Sequence, residues 1–146
     1  MTHTVFTNLW NGKYIDFDGV AGYQCVDLMR KYVKDVLGLP GYNEDLKPLG
    51  VNGHSKDLFY RLPDGGGKYF SKVYNGKTNS PSEGDIVFFK TSWLPPWLYG
   101  RDGHVAIAHT ANSMNLVTFD QNWPSKTSCH FQRHTYKDCL GWLHKK

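Results

Sequence analysis

Between residues 24 and 37 apolar side chains recur as they do on one face of a helix. Met29, Tyr32, Val33 and Val36 stand at i, i+3, i+4 and i+7, and Gly38 with Pro40 supplies the stop. The spacing predicts a helix over 24–37. From 41 to 78 no period is sustained; a short helix is predicted near 55–60, followed by a turn at Asp64-Gly65-Gly66-Gly67. From Gly84 the pattern changes to short runs rich in Val, Ile, Phe, Thr and Trp, at 85–90, 104–109, 116–120, 128–134 and 140–144. Helix first and strands afterwards, with no alternating β–α–β pattern, predicts an α+β chain with helices on one side of an antiparallel sheet. The 146 residues suit one domain spanning 1–146, large enough to bury a core without staples.

Composition narrows the function classes. With 40% hydrophobic and 21% charged residues the chain is globular rather than disordered. No apolar run approaches the roughly 18 residues of a membrane span. The start, Met-Thr-His-Thr-Val-Phe-Thr-Asn, lacks the basic and apolar regions of a signal peptide. The net charge is +4, but Lys31, Lys34, Lys68, Lys72, Lys77 and Lys126 are scattered. That favours mild attraction to an anionic surface such as a bacterial wall over a nucleic-acid footprint. Of the three cysteines, Cys25, Cys129 and Cys139, at least one stays unpaired, and no CxxC pair suggests structural zinc. Cys129 and Cys139 are placed where they could face each other across a hairpin.

Candidate chemistry begins in the acidic loop. With Asp16 as position 1, Asp18 is 3, Val20 is 5, Gly22 is 7 and Asp27 is 12. This is the ligand spacing of a calcium loop, with carboxylates at 1, 3 and 12 and main-chain carbonyls at 5 and 7. It departs from the pattern at Ala21, where a glycine is expected, and in ending on Asp rather than Glu. The plain alternative is a solvated Asp-Gly turn, with Asp27 as a first-turn helix charge. Three carboxylates in one loop repel each other unless a cation sits among them.

Cys25 falls at the start of the predicted helix, where unpaired N–H groups and the helix dipole favour a thiolate. The alternative is a small buried hydrophobe. A thiolate nucleophile needs a base that later acts as an acid, and histidine suits near-neutral pH. His3, His54 and His144 are expected on the surface. His104 follows Gly103 and shares a strand face with Ala106 and Ala108, whose small side chains leave space above the ring. His109 lies opposite, with Val105 and Ile107, as a packed or rim histidine. On the next strand Asp120 and Asn122 point the same way, so either could hold the imidazole, while Gln121 points away. A satisfied structural histidine is the competing reading for His104.

The segments Asp16-Phe17-Asp18-Gly19, Gly22-Tyr23-Gln24-Cys25-Val26-Asp27, Gly84-Asp85-Ile86-Val87, Gly103-His104-Val105-Ala106-Ile107 and Phe119-Asp120-Gln121-Asn122-Trp123 occur in this order along nearly the whole chain. Together they resemble the CHAP domains, the cysteine- and histidine-dependent amidohydrolase/peptidases of bacteriophage endolysins and bacterial autolysins. The resemblance implies a papain-like α+β fold, with N-terminal helices packed against a central antiparallel sheet. It implies that Cys25 attacks an amide carbonyl of peptidoglycan, as an endopeptidase or an N-acetylmuramoyl-L-alanine amidase, with His104 as base and acid. Asp120, where the family often has Glu, or Asn122 would hold the ring. Gln24 would help the Cys25 main-chain N–H form an oxyanion hole. Asp16, Asp18 and Asp27, with the carbonyls of Val20 and Gly22, would hold Ca2+. It further implies synthesis in a host cytoplasm, action at the cell wall, and a separate wall-binding domain or subunit as partner.

Trp93, Trp97, Tyr99 and Trp123 flank the candidate His and Asn strands and are groove-lining candidates; packing within a Pro-rich loop is the alternative for Trp93 and Trp97. Two other functions compete: a noncatalytic, calcium-dependent cell-wall or carbohydrate-binding module, and a papain-like thiol enzyme acting on soluble peptides.

Overall fold

In the computed structural model the predicted central helix is α2, Cys25–Asp35, with Met29, Tyr32 and Val33 buried. The structure describes residues 1–20, 22–47, 55–90, 103–124 and 126–146. The short helix predicted near 55–60 is α3, Ser55–Arg61. The five predicted runs become β2, Ile86–Phe89; β3, His104–Ala111; β4, Leu116–Asp120; β5, His130–His134; and β6, Cys139–Lys145.

Two elements lie where no period was read. Helix α1, His3–Trp10, is capped by Thr2, whose hydroxyl accepts the Val5 N–H. It buries only His3, Phe6 and Thr7, so two of its three inward positions are polar and the apolar stripe is missing. His3 is therefore buried, at 6% exposure, and not on the surface as expected. Strand β1, Phe70–Tyr74, buries Phe70 and Lys72. A lysine on the inner face hides the alternation. Its stem is covered and its Nζ lies 4.5 Å from the centre of the Phe59 ring while donating to the Leu62 carbonyl. The start of β1 is fixed from the preceding 3-10 turn, Glu44–Leu46, where the Asp45 carboxylate accepts the N–H groups of Lys68, Tyr69 and Phe70 at 2.7–3.0 Å.

The strands form one antiparallel sheet in the order β1-β6-β2-β3-β4-β5. Alternation sends Ile86, Phe88, Val105, Ile107, Phe119 and Leu143 to one face, where they pack with Phe6, Met29, Tyr32, Val33 and Phe59 of the three helices. Val87, Phe89, Ala106, Ala108, Leu116 and Trp142 form a second cluster on the other face. The α+β expectation, with helices on one side of an antiparallel sheet, holds. Cys129 belongs to the first cluster and Cys139 to the second; both are free thiols, so the hairpin pairing is not made. Burial pushes each thiol up to about 12, which leaves them unreactive. Among the described residues no helix is long and apolar enough to cross a membrane.

Candidate active site

Cys25 opens α2 and is half-buried. The residue before it, Gln24, is the N-cap, and its N–H donates to Asp27 Oδ2 at 2.9 Å. The other oxygen of Asp27 accepts the Phe17 N–H at 3.2 Å, so one carboxylate ties the acidic loop to the first turn of the helix. Gln121 adds a second tie. Its amide nitrogen donates to the carbonyls of Ile15 and Gln24, both at 2.8 Å, and its oxygen accepts the Ile15 N–H at 2.7 Å. The Gln24 carbonyl and the Cys25 N–H belong to one planar peptide and point in opposite directions. Holding that carbonyl therefore also fixes the direction of the Cys25 N–H.

His104 opens β3, and the glycine before it is required by position. Gly103 has φ +72°, and a Cβ there would lie 2.8 Å from the Phe89 carbonyl and 2.7 Å from the Lys56 side chain. The imidazole Nε2 lies 2.7 Å from Asp120 Oδ2. Cys25 acts on the same ring, and both it and Asp120 favour the protonated imidazole. Burial alone would lower the pKa of His104, but the hydrogen bonds with Asp120 and Cys25 outweigh it and raise it to about 9. For Asp120 burial works upward, and the bonds from His104 and His134 bring its carboxyl down to about 2.

The structure brings Asp120, and not Asn122, to the ring. Strand β4 ends at Asp120, and Asn122 sits in a turn with φ 62°, its Oδ1 accepting the Lys126 N–H at 2.6 Å. The two-residue alternation that would align them no longer applies there. The space expected above His104 is filled instead, by Trp123 stacked at 4.7 Å between ring centres and by Phe89 at 5.9 Å. Trp93, Trp97 and Tyr99 lie outside the described residues, as does His54. His109 is half-buried, as expected of a packed histidine.

Two residues that the sequence reading passed over complete the centre. His134 Nε2 lies 2.8 Å from Asp120 Oδ2, and the Thr118 hydroxyl donates to Asp120 Oδ1. The register sets His130, and not His134, opposite Asp120, so strand pairing carries no signal for this contact. Thr118 lies two residues before Asp120 on the same strand face, and that period was available as a clue. Beside His134 opens a cavity of about 220 Å³ lined by Trp123, Phe89, Lys90, Arg133, Thr135 and Asp138; neither Cys25 nor His104 lines it.

In the acidic loop one oxygen each from Asp16, Asp18 and Asp27 lies within 4.8 Å of the others. Asp16 Oδ1 and Asp18 Oδ1 accept the Gly19 and Val20 N–H groups, both at 2.8 Å, so the loop is folded by its own carboxylates. Burial pushes Asp27 up to about 6; its bonds from Gln24 and Phe17 work downward, and the charges of Asp18 and Asp16 work upward. An all-oxygen donor set of three carboxylates fits a hard cation such as Ca2+.

No protein-family model matches the chain. Among solved structures, its fold is similar to the crystal structure of a wild-type endolysin, LysIME-EF1, with a TM-score of 0.65 at 19% sequence identity. The match covers 99% of this chain and 64% of the endolysin chain, so this chain spans a little under two thirds of that protein.

Proposed function

We propose that the chain is a CHAP-type peptidoglycan hydrolase that cleaves an amide bond of the bacterial cell wall with Cys25 as nucleophile. The observation that carries this reading is that Cys25 and Asp120 both act on the buried His104 imidazole, the carboxylate bonded to its Nε2 at 2.7 Å. The fold likeness to an endolysin supports it.

The proposed steps follow from that arrangement. The Cys25 thiolate attacks the carbonyl carbon, and negative charge moves to the carbonyl oxygen, which the Cys25 N–H and Gln24 would stabilise. The C–N bond then breaks as His104 gives its proton to the leaving amine, and a thioester remains on Cys25. Water attacks the thioester carbon while His104 takes its proton; the S–C bond breaks, the acid product leaves and the thiolate returns. Asp120 keeps the ring oriented throughout and stabilises its cationic form. Trp123, stacked on His104, borders the cleft that receives the stem or bridge peptide.

Asp16, Asp18 and Asp27, with the carbonyls of Val20 and Gly22, would hold Ca2+. A bound Ca2+ would offset two of the three carboxylate charges and brace the turn leading into Cys25. Action at the bacterial wall after synthesis in a host cytoplasm, with a wall-binding domain or subunit as partner, belongs to the same reading.

The test uses isolated cell walls. Cys25→Ala is expected to keep the fold by circular dichroism and to abolish the fall in turbidity, and mass spectrometry of wild-type digests should show new amine and carboxyl ends at one amide. Lysis that survives Cys25→Ala overturns the reading. Wall binding without new ends, in wild type and variant alike, would mark a binding module.

A further inference from the structure

A second cluster of ligating side chains lies on the helix-covered face of the sheet, apart from the centre just described. His3 comes from the first turn of α1, Glu83 from the loop before β2, and His109 from β3. One ligating atom of each lies within 4.8 Å of the other two. His3 Nε2 and His109 Nδ1 are 3.0 Å apart, with the two rings at an interplanar angle of 17°.

We infer that His3, Glu83 and His109 form a binding site for a zinc-class divalent transition metal, one that pins α1 to the sheet. Three features separate this cluster from a chance meeting of polar groups. First, His109 sits in the β-bulge of the β3–β4 pairing, between Ala108 and Thr110, and bulges re-aim single side chains. Second, His3 is 6% exposed, and its remaining ring nitrogen is bonded to the Tyr32 hydroxyl at 2.8 Å, the outer-shell support that fixes the orientation of a ligating imidazole. Third, Glu83 is exposed and His109 half-buried, which leaves the cluster open to solvent for metal entry and a fourth, water ligand.

The donor set decides the class of ion. Two imidazole nitrogens and one carboxylate suit Zn2+, Co2+ or Ni2+, whereas Ca2+ and Mg2+ prefer all-oxygen sites such as the acidic loop. Metal–ligand bonds of about 2.0–2.2 Å set tetrahedral ligand separations on the order of 3.3–3.5 Å. The two nitrogens need to part by a few tenths of an ångström and rotate toward Glu83, which the exposed glutamate can meet.

The experiment is a Zn2+ titration of metal-stripped full chain carrying Cys25→Ala, which removes the competing thiolate, read by calorimetry and thermal melting. One equivalent is expected to bind, to raise Tm, and to resist displacement by excess Ca2+. Glu83→Gln and His109→Gln should each weaken binding by about 10–100-fold, and His134→Gln should not. Co2+ in the same Cys25→Ala chain should show ligand-field bands without a sulfur-to-metal charge-transfer band. Glu83 is exposed, so its variant reports even where His109→Gln fails to fold. No uptake below about 1 mM Zn2+ overturns the inference. So does uptake unaffected by Glu83→Gln, or uptake lost in His134→Gln.

Discussion

Asp27 and Asp120 are shut off from solvent to the same degree, at 1% and 0% exposure, yet their carboxyls shift in opposite directions. Burial pushes both up. Asp120 is brought down to about 2 because two imidazoles donate to one of its oxygens, and the Thr118 hydroxyl satisfies the other. Asp27 stays raised, at about 6, because its partners are two neutral backbone N–H groups and its other neighbours are two more carboxylates. One buried acid is supplied with imidazole donors by the fold itself; the other is assembled with its own kind. The contrast assigns them different work. In the proposed reading Asp120 supports the catalytic imidazole, and Asp27 belongs to the loop proposed to hold Ca2+.

The largest effect is expected from Asp120→Asn. An amide cannot stabilise the imidazolium, and loss of the equivalent carboxylate behind a catalytic histidine costs on the order of 10⁴-fold in kcat. Wall-lysis rates at fixed pH measure it, and a loss under tenfold would detach Asp120 from the chemistry. The same variant should flatten the pH dependence of stability. His104 is raised above 6.5, so its contribution is full below that value and fades as pH rises through about 9. Asp120 is lowered below 3.8, so its contribution is present above that value and is lost as pH falls through about 2. Melting curves across this range should show both limbs in the wild type, with the Asp120 limb lost and the His104 limb reduced in Asp120→Asn.

Chelation comes next. EDTA should reduce lysis by the wild type at least tenfold, with recovery on adding Ca2+; activity unchanged by thorough chelation would remove the ion from the account. Asp27→Asn leaves one acceptor oxygen for two backbone N–H groups, so it should destabilise the loop by about 1–3 kcal/mol and make the residual activity insensitive to both EDTA and Ca2+. Smallest is Asn122→Ala, expected to stay within a few-fold of wild-type lysis because its side chain serves the Lys126 turn and not the ring.

The elements that carry the candidate site were legible because their local signals were strong. Met29, Tyr32 and Val33 mark the buried face of α2, and Val105 and Ile107 alternate with Ala106 along β3. Cys25 and His104 were read from position, a helix start and a strand start, whereas Asp120 was read only as an alternative to Asn122. What stayed hidden was polar burial. Lys72 breaks the alternation of β1 and His3 breaks the stripe of α1, because each finds a partner that only the folded chain supplies; Thr7 is buried while bonding to Thr4 in its own helix. His134 reaches Asp120 outside the strand register. Gln121 was read only as pointing away from the imidazole, and its bonds to Ile15 and Gln24 join segments about a hundred residues apart. Asn122 misled because alternation was extended past the residue where the strand stops.

Nitrogen-15 NMR titration of the His104 imidazole in the intact protein tests the pairing most directly. The account predicts a doubly protonated ring up to about pH 9, with the midpoint moving down in both Cys25→Ala and Asp120→Asn. A midpoint at or below 6.5 that neither substitution moves would contradict it.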